Sequence, residues 1–187
     1  MIISAMNVNA HDFEVQNDDG VTIYYKITSS TDLTVAVTFR GNNPTLYTNR
    51  YTGGVILPET VHYSEESYSV TSIDGHAFEF CTELTSVELP NSITIIDSWA
   101  FRGCSALTSI EIPQSVTKIA SNAFSGCSNI TQVTLNSNAI VSKTYTSDSN
   151  FSSIFGNQVE KYILGEGITT IGSYAFSSCA VSFPDLG

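Results

Sequence analysis

Basic residues are scarce in this chain: seven Lys and Arg stand against 18 Asp and Glu, a net charge of −11. That balance opposes the phosphates of nucleic acids and the anionic face of membranes, so neither DNA, RNA nor bare lipid is expected as a partner. Charge of either sign is thin, at 13% of residues, while Ser, Thr and Asn are abundant. A surface carried by neutral polar groups suits strands better than helices. There is no run of about 18 apolar residues, hence no candidate membrane-spanning helix and no direct membrane insertion. A Gly-x-Ser-x-Gly elbow and a Cys–His signature are also missing, and His11, His62 and His76 are paired with no nucleophile, so the chain reads as non-catalytic. Single cysteines spaced along the chain with no paired His do not converge on a zinc tetrahedron. Asn17-Asp-Asp-Gly20 lacks the remaining ligands of a calcium loop and reads as a hairpin turn. No cofactor or metal is expected.

What is present is ample core material, with 42% apolar residues in 187, and self-similarity. Leu84-Thr-Ser-Val-Glu-Leu-Pro90, continued to Ala100-Phe101 and Cys104, is matched by Leu107-Thr-Ser-Ile-Glu-Ile-Pro113, continued to Ala123-Phe124 and Cys127. Every landmark moves by 23 residues. Ala77, Phe78 and Cys81 stand one period earlier, and Ala175, Phe176 and Cys179 close the series. The Pro90 and Pro113 position extends to Pro58 before and to Asn136, Gly165 and Pro184 after. Nine added residues near His62–Val70 and six between Ile140 and Gln158 read as loops, because a stacked repeat lengthens where it does not touch its neighbours.

Within a unit, Leu107, Ile110 and Ile112 point inward and Thr108, Ser109 and Glu111 outward. Val116 and Ile119 form a second inward segment, and a short helical turn gathers Ala123, Phe124 and Cys127 on one buried face. The expected fold is therefore an α/β solenoid, a leucine-rich repeat of 23-residue period made of a strand plus a short helical turn. Its open N-terminal end needs a cap. Short alternating runs at Phe13–Val15, Val21–Ile27 and Leu33–Phe39, separated by turn residues, supply one as a β-meander. The expected organisation is residues 1–10 as a signal-peptide remnant or flexible end, 11–54 as the N-terminal β cap, and 55–187 as the solenoid with a closing half-turn at 181–187.

The pattern Leu-Thr-Ser-Val-Glu-Leu-Pro, then Ile, then Ala-Phe-x-x-Cys resembles the BspA-like leucine-rich-repeat surface proteins of gut and oral Bacteroidetes and of some parasitic protists, over residues 55–179. Ile23-Tyr-Tyr-Lys-Ile-Thr28 and Tyr68-Ser-Val-Thr-Ser-Ile73 are similar to that family's N-terminal cap. The resemblance implies export to the cell surface or the medium, and adhesion to a protein or glycan. No anchoring domain is visible after Cys179.

Cys81, Cys104 and Cys127 fall on the buried face of the turn and read as a core ladder of free thiols, with a disulfide between neighbouring units as the alternative. The candidate binding residues are the outward positions, which stacking aligns into one concave sheet: Thr85, Ser86 and Glu88, then Thr108, Ser109 and Glu111, then Thr131, Gln132 and Thr134, then Lys161. Trp99, before an Ala-Phe pair and about 150° from the buried face, is expected to be exposed or packed on a neighbour, and if exposed it joins the concave sheet as a candidate binding residue for the protein or glycan. The leading expectation is a binding module for a protein or glycan. A structural spacer is the alternative. A polysaccharide hydrolase is a third class, for which Glu88 and Glu111 stand about 5 Å apart by strand spacing.

Overall fold

The computed structural model describes residues 10–41, 43 and 50–180. The expected signal remnant, apart from Ala10, and the closing half-turn lie outside the described residues. The strands are β1 (Phe13–Gln16), β2 (Thr22–Ser29), β3 (Thr34–Thr38), β4 (Gly53–Ile56), β5 (Thr60–Tyr63), β6 (Glu66–Ile73), β7 (Leu84–Glu88), β8 (Ile95–Ile96), β9 (Ser109–Ile112), β10 (Lys118–Ile119), β11 (Gln132–Leu135) and β12 (Lys161–Leu164). The helices are α1 (Asn138–Val141) and α2 (Phe151–Phe155).

The N-terminal runs pair antiparallel, Val15 opposite Ile23 and Tyr25 opposite Val37. Asn17 makes the first turn: its side-chain oxygen accepts from the Asp19 and Val21 N–H groups, its carbonyl accepts from Gly20 N, and Gly20 supplies φ +77°. From β3 onward the sheet turns parallel, because each further strand is the same segment of a stacked unit. Val37 lies opposite Ile73, Ile73 opposite Ile96, and Ile96 opposite Ile119. The Leu-Thr-Ser-type strands form a second parallel face. There Ile110, Val133 and Tyr162 align, as do Ile112, Leu135 and Leu164. One hydrophobic core runs between the faces from Phe13 to Ala175.

Three expectations about local structure need correction. First, the Ala-Phe-x-x-Cys segment is not a helical turn but a chain of tight turns. Ala100 N donates to Asp97 O and Cys104 N to Phe101 O, while Trp99 and Gly103 take left-handed φ values of 60° and 71°. Left-handed residues at these positions, His76 and Phe80 in the unit before, turn other N–H groups outward to the adjacent unit, so Phe78 N donates to Ala100 O at 2.7 Å and Phe101 N to Ala123 O at 2.8 Å. A helix would have spent these donors internally. Second, the nine added residues are not a loop; they build the antiparallel hairpin β5–β6, with Val61 opposite Tyr68. Third, the six added residues lie in a stretch that folds into α1 and α2. Asn150 caps α2 by accepting from Ser152 and Ser153 N, and Phe155 packs 5.1 Å from Phe124, continuing the aromatic ladder of the core.

The four cysteines are free. Cys104 Sγ donates to Phe78 O at 3.1 Å and Cys127 Sγ to Phe101 O at 2.9 Å, each thiol reaching one unit back. A hydrogen bond with Cys127 and burial together hold the Cys104 thiol well above the usual thiol range. Burial raises the phenols of Tyr25 and Tyr162 and pushes that of Tyr145 up to about 12. Groups whose pKa is higher folded than unfolded stabilise the fold fully below their unfolded values, and that contribution is lost as pH rises towards the folded ones. The urea midpoint, in reductant, is therefore expected to be unaffected by these three phenols up to about pH 9 and to be lowered by their ionisation above about pH 10. A midpoint unchanged through pH 11 contradicts this assignment.

Candidate functional site

Thr85, Ser86 and Glu88 are exposed on β7; Thr108, Ser109 and Glu111 are exposed at β9; Thr131 is exposed, Gln132 and Thr134 half-buried, at β11; Lys161 is exposed on β12. Ser109, Gln132 and Lys161 form one row across three strands, and Glu111, Thr134 and Ile163 the next. The expected single sheet is not continuous, however. β7 pairs with β4, β9 with β11, and no ladder joins β7 to β9.

The strand ends also differ from unit to unit. Asn136 N donates to Ile112 O at 3.0 Å and Gly165 N to Leu135 O at 2.9 Å, which ties each strand end to its predecessor. The corresponding residue after β9 is Pro113, which has no N–H to offer Leu89 O. The two strands part there around a groove of about 600 Å³. Ser86, Glu88 and Leu89 line one wall, Ser109 and Glu111 the other, and Asn91, Gln114 and Asn136 the end. Asn136 Nδ2 donates to Glu111 Oε1 at 2.7 Å, which fixes that carboxylate, whereas the Glu88 carboxylate has no hydrogen-bond partner among the described residues. The groove thus presents two carboxylates, two hydroxyls and amides to a ligand rich in donors. Among the described residues no group of three or more His, Cys, Asp or Glu side chains is placed to hold a metal, and no helix is long and apolar enough to cross a membrane.

Sequence reasoning found the walls of this groove and missed its end. Pro113 alone does not signal it, because Pro90 holds the same repeat position and β7 still pairs with β4. It also missed Glu79 and Arg102, which follow Phe78 and Phe101 in successive units with opposite charges. Glu79 is buried and Arg102 Nη1 donates to its Oε1 at 2.9 Å. Trp99 is exposed, as one of its two expected placements has it, and also touches a neighbouring unit through His76.

The parallel faces, the repeated Ala-Phe-x-x-Cys turns and the free-thiol ladder agree with a family match. The model of the BspA type leucine rich repeat region matches residues 60–182 in six copies. The chain belongs to this family. Solved structures share its fold. A leucine-rich repeat protein from Bacteroides ovatus ATCC 8483 is similar with a TM-score of 0.58 and 24% identity, over 93% of this chain and 48% of that one. A leucine rich cell surface protein from Faecalibacterium prausnitzii A2-165 is similar with a TM-score of 0.52 and 23% identity, over 90% and 47%. The T. pallidum leucine rich repeat protein aligns with a TM-score of 0.54 and 24% identity, over 87% and 69%. At these identities the likeness is one of fold. The BspA-type chain described here spans about half the length of the first two. No curated protein matches it.

Proposed function

We propose that this chain is a non-catalytic recognition module, displayed at a cell surface or secreted, that binds a protein or glycan on its strand face. The groove between β7 and β9 carries the reading, because it is concave, polar and lined by Ser86, Glu88, Ser109 and Glu111. Thr85, Thr108, Thr131, Gln132, Thr134 and Lys161 extend the contact surface to either side. The location draws support from the similar Faecalibacterium prausnitzii cell surface protein. In this reading the repeat unit is 23 residues, residues 11–54 are its cap, and residues 55–187 are the ligand-bearing solenoid. An exposed strand face fixed by backbone ladders presents its side chains without prior ordering, which lowers the entropic cost of binding.

The test is an array of matrix proteins and glycans probed with the parent and with Glu88→Lys/Glu111→Lys. Reversing both charges is expected to weaken binding at least about tenfold while leaving the urea midpoint nearly unchanged. Binding unaffected by the double substitution moves recognition off the groove. A parent that binds nothing on the array replaces this reading with that of a structural spacer, and cleavage of a glycan replaces it with a hydrolase using the two glutamates.

A further inference from the structure

On the turn side of the core each unit meets the next with N–H groups and the one before it with carbonyls. Phe78 N and Phe80 N donate to Ala100 O and Arg102 O, and Phe101 N and Gly103 N to Ala123 O and Ser125 O, at 2.7–2.9 Å. Phe80, Gly103 and Gly126 all stand at positive φ, and this change of hand along the turn aims alternate N–H groups the same way. By the same register the next donors are Phe124 N and Gly126 N, and their acceptors are due from the unit that carries α2.

That unit withholds them. Phe151 N donates to Ala175 O as Phe101 N does to Ala123 O, so Asn150 and Ser152 hold the repeat positions of Ala123 and Ser125. Their carbonyls are spent inside α2: Asn150 O accepts from Ser153 N and Ile154 N, and Ser152 O from Gly156 N. Phe124 N and Gly126 N are left with no partner among the described residues. Backbone donors are rarely left so where protein surrounds them. Both residues line a cavity of about 350 Å³, together with Asn122, Ser125 and Ser128 from the same turn and Gly156 from the end of α2. Among the described residues no charged side chain lines this cavity. The side-chain amide that reaches it from Gln158 has its nitrogen engaged by Cys127 O and Phe155 O.

An edge that offers only donors is complementary to a ligand that offers only acceptors. We propose that this cavity is an oxyanion site that takes a sulfate group, free or as the ester of a sugar. Phe124 N and Gly126 N donate to two of its oxygens, and the Ser125 and Ser128 hydroxyls and the Asn122 amide complete the shell. Backbone N–H groups arranged in this way hold anions without a neighbouring cation. Sulfate is the fitting oxyanion because it carries no proton at neutral pH. Phosphate in weak acid keeps protons that need acceptors, and the cavity has no carboxylate to receive them. None of these residues lines the β7–β9 groove, so the site is additional to the function proposed above and stands or falls separately from it.

The test is an amide-resolved NMR titration at about pH 6, with sodium sulfate replacing sodium chloride at constant ionic strength. The Phe124 and Gly126 amide protons are expected to move downfield together and saturably in the millimolar range, while those of Phe101 and Gly103, already bonded, move far less. Inorganic phosphate is expected to bind at least about tenfold more weakly. Ser125→Asp sets a like charge at the rim and is expected to weaken sulfate at least about tenfold. Its urea midpoint should stay close to the parent's, since Ser125 is exposed. Ser125→Asn changes the same side chain without the charge and should bind within about threefold of the parent. No saturable shift, equal affinity for phosphate, or unweakened binding by Ser125→Asp each overturns the proposal. A galactose sulfate ester, titrated beside galactose, tells the source. Saturation of the same two amides by the ester places the site on a sulfated glycan, saturation by free sulfate alone assigns it to the ion, and an equal response to plain galactose overturns the anion reading.

Discussion

Phe101→Ala is expected to destabilise the chain by about 3–5 kcal/mol. Phe101 is fully buried, with its ring 4.9 Å from Phe78 and 5.0 Å from Phe124, each pair within 5° of parallel. Phe155 carries the series on at 5.1 Å from Phe124. Each ring packs on the ring of the next unit, and in a stacked array stability is close to a sum of such neighbour contacts. Alanine at this rung removes both ring faces at once, and the cavity cannot close. The flanking backbones are held by Phe78 N to Ala100 O and Phe101 N to Ala123 O, and Cys127 Sγ also donates to Phe101 O. For a chain of this size the melting temperature should fall by roughly 6–20 °C, with the fold retained at low temperature. A fall of under about 1 kcal/mol would mean that the ladder is not what joins the units.

Much of the fold was readable because one side-chain pattern recurs. Leu107, Ile110 and Ile112 announce the strand, and the burial of Ala123, Phe124 and Cys127 follows from spacing alone. That same spacing could not tell a helical turn from a chain of left-handed turns, since both bury residues 123, 124 and 127. The difference lies in where the N–H groups of Phe101 and Gly103 go, towards the neighbouring unit, and no side chain records it. The insertions were hidden for a related reason. Ser137 and Asn150 look like loop residues, yet each caps a short helix, and Asn150 is itself buried and satisfied through Thr146, Ser147, Ser152 and Ser153. Around the candidate site, the outward positions were legible as a list. The groove among them was not, because it depends on which neighbouring strands pair: Pro90 and Pro113 hold the same repeat position, yet β7 pairs with β4 and not with β9.

Arg102→Met is expected to cost about 2–4 kcal/mol, although Arg102 itself is partly exposed, because the loss falls on its partner. Glu79 is 1% exposed and its carboxylate keeps only His76 once the guanidinium is gone. An uncompensated buried carboxylate must be desolvated without repayment or take up a proton, and either route weakens the folded state. Removing both charges should behave differently. In Glu79→Met/Arg102→Met no buried charge remains and the methionines refill the volume, so the double variant should recover most of the loss relative to Arg102→Met. Urea titrations of the four chains in the cycle give the coupling directly, and about 2 kcal/mol is expected. A double variant as unstable as the single one would show that packing of the Arg102 stem between Phe80 and Trp99, rather than its charge, is what the fold requires. The pair also joins successive units on the turn side of the core, as the phenylalanine ladder does within it. Phe101→Ala and Arg102→Met lie on adjacent residues of one turn, so their losses should be less than additive when combined, each having already loosened the same contact between units.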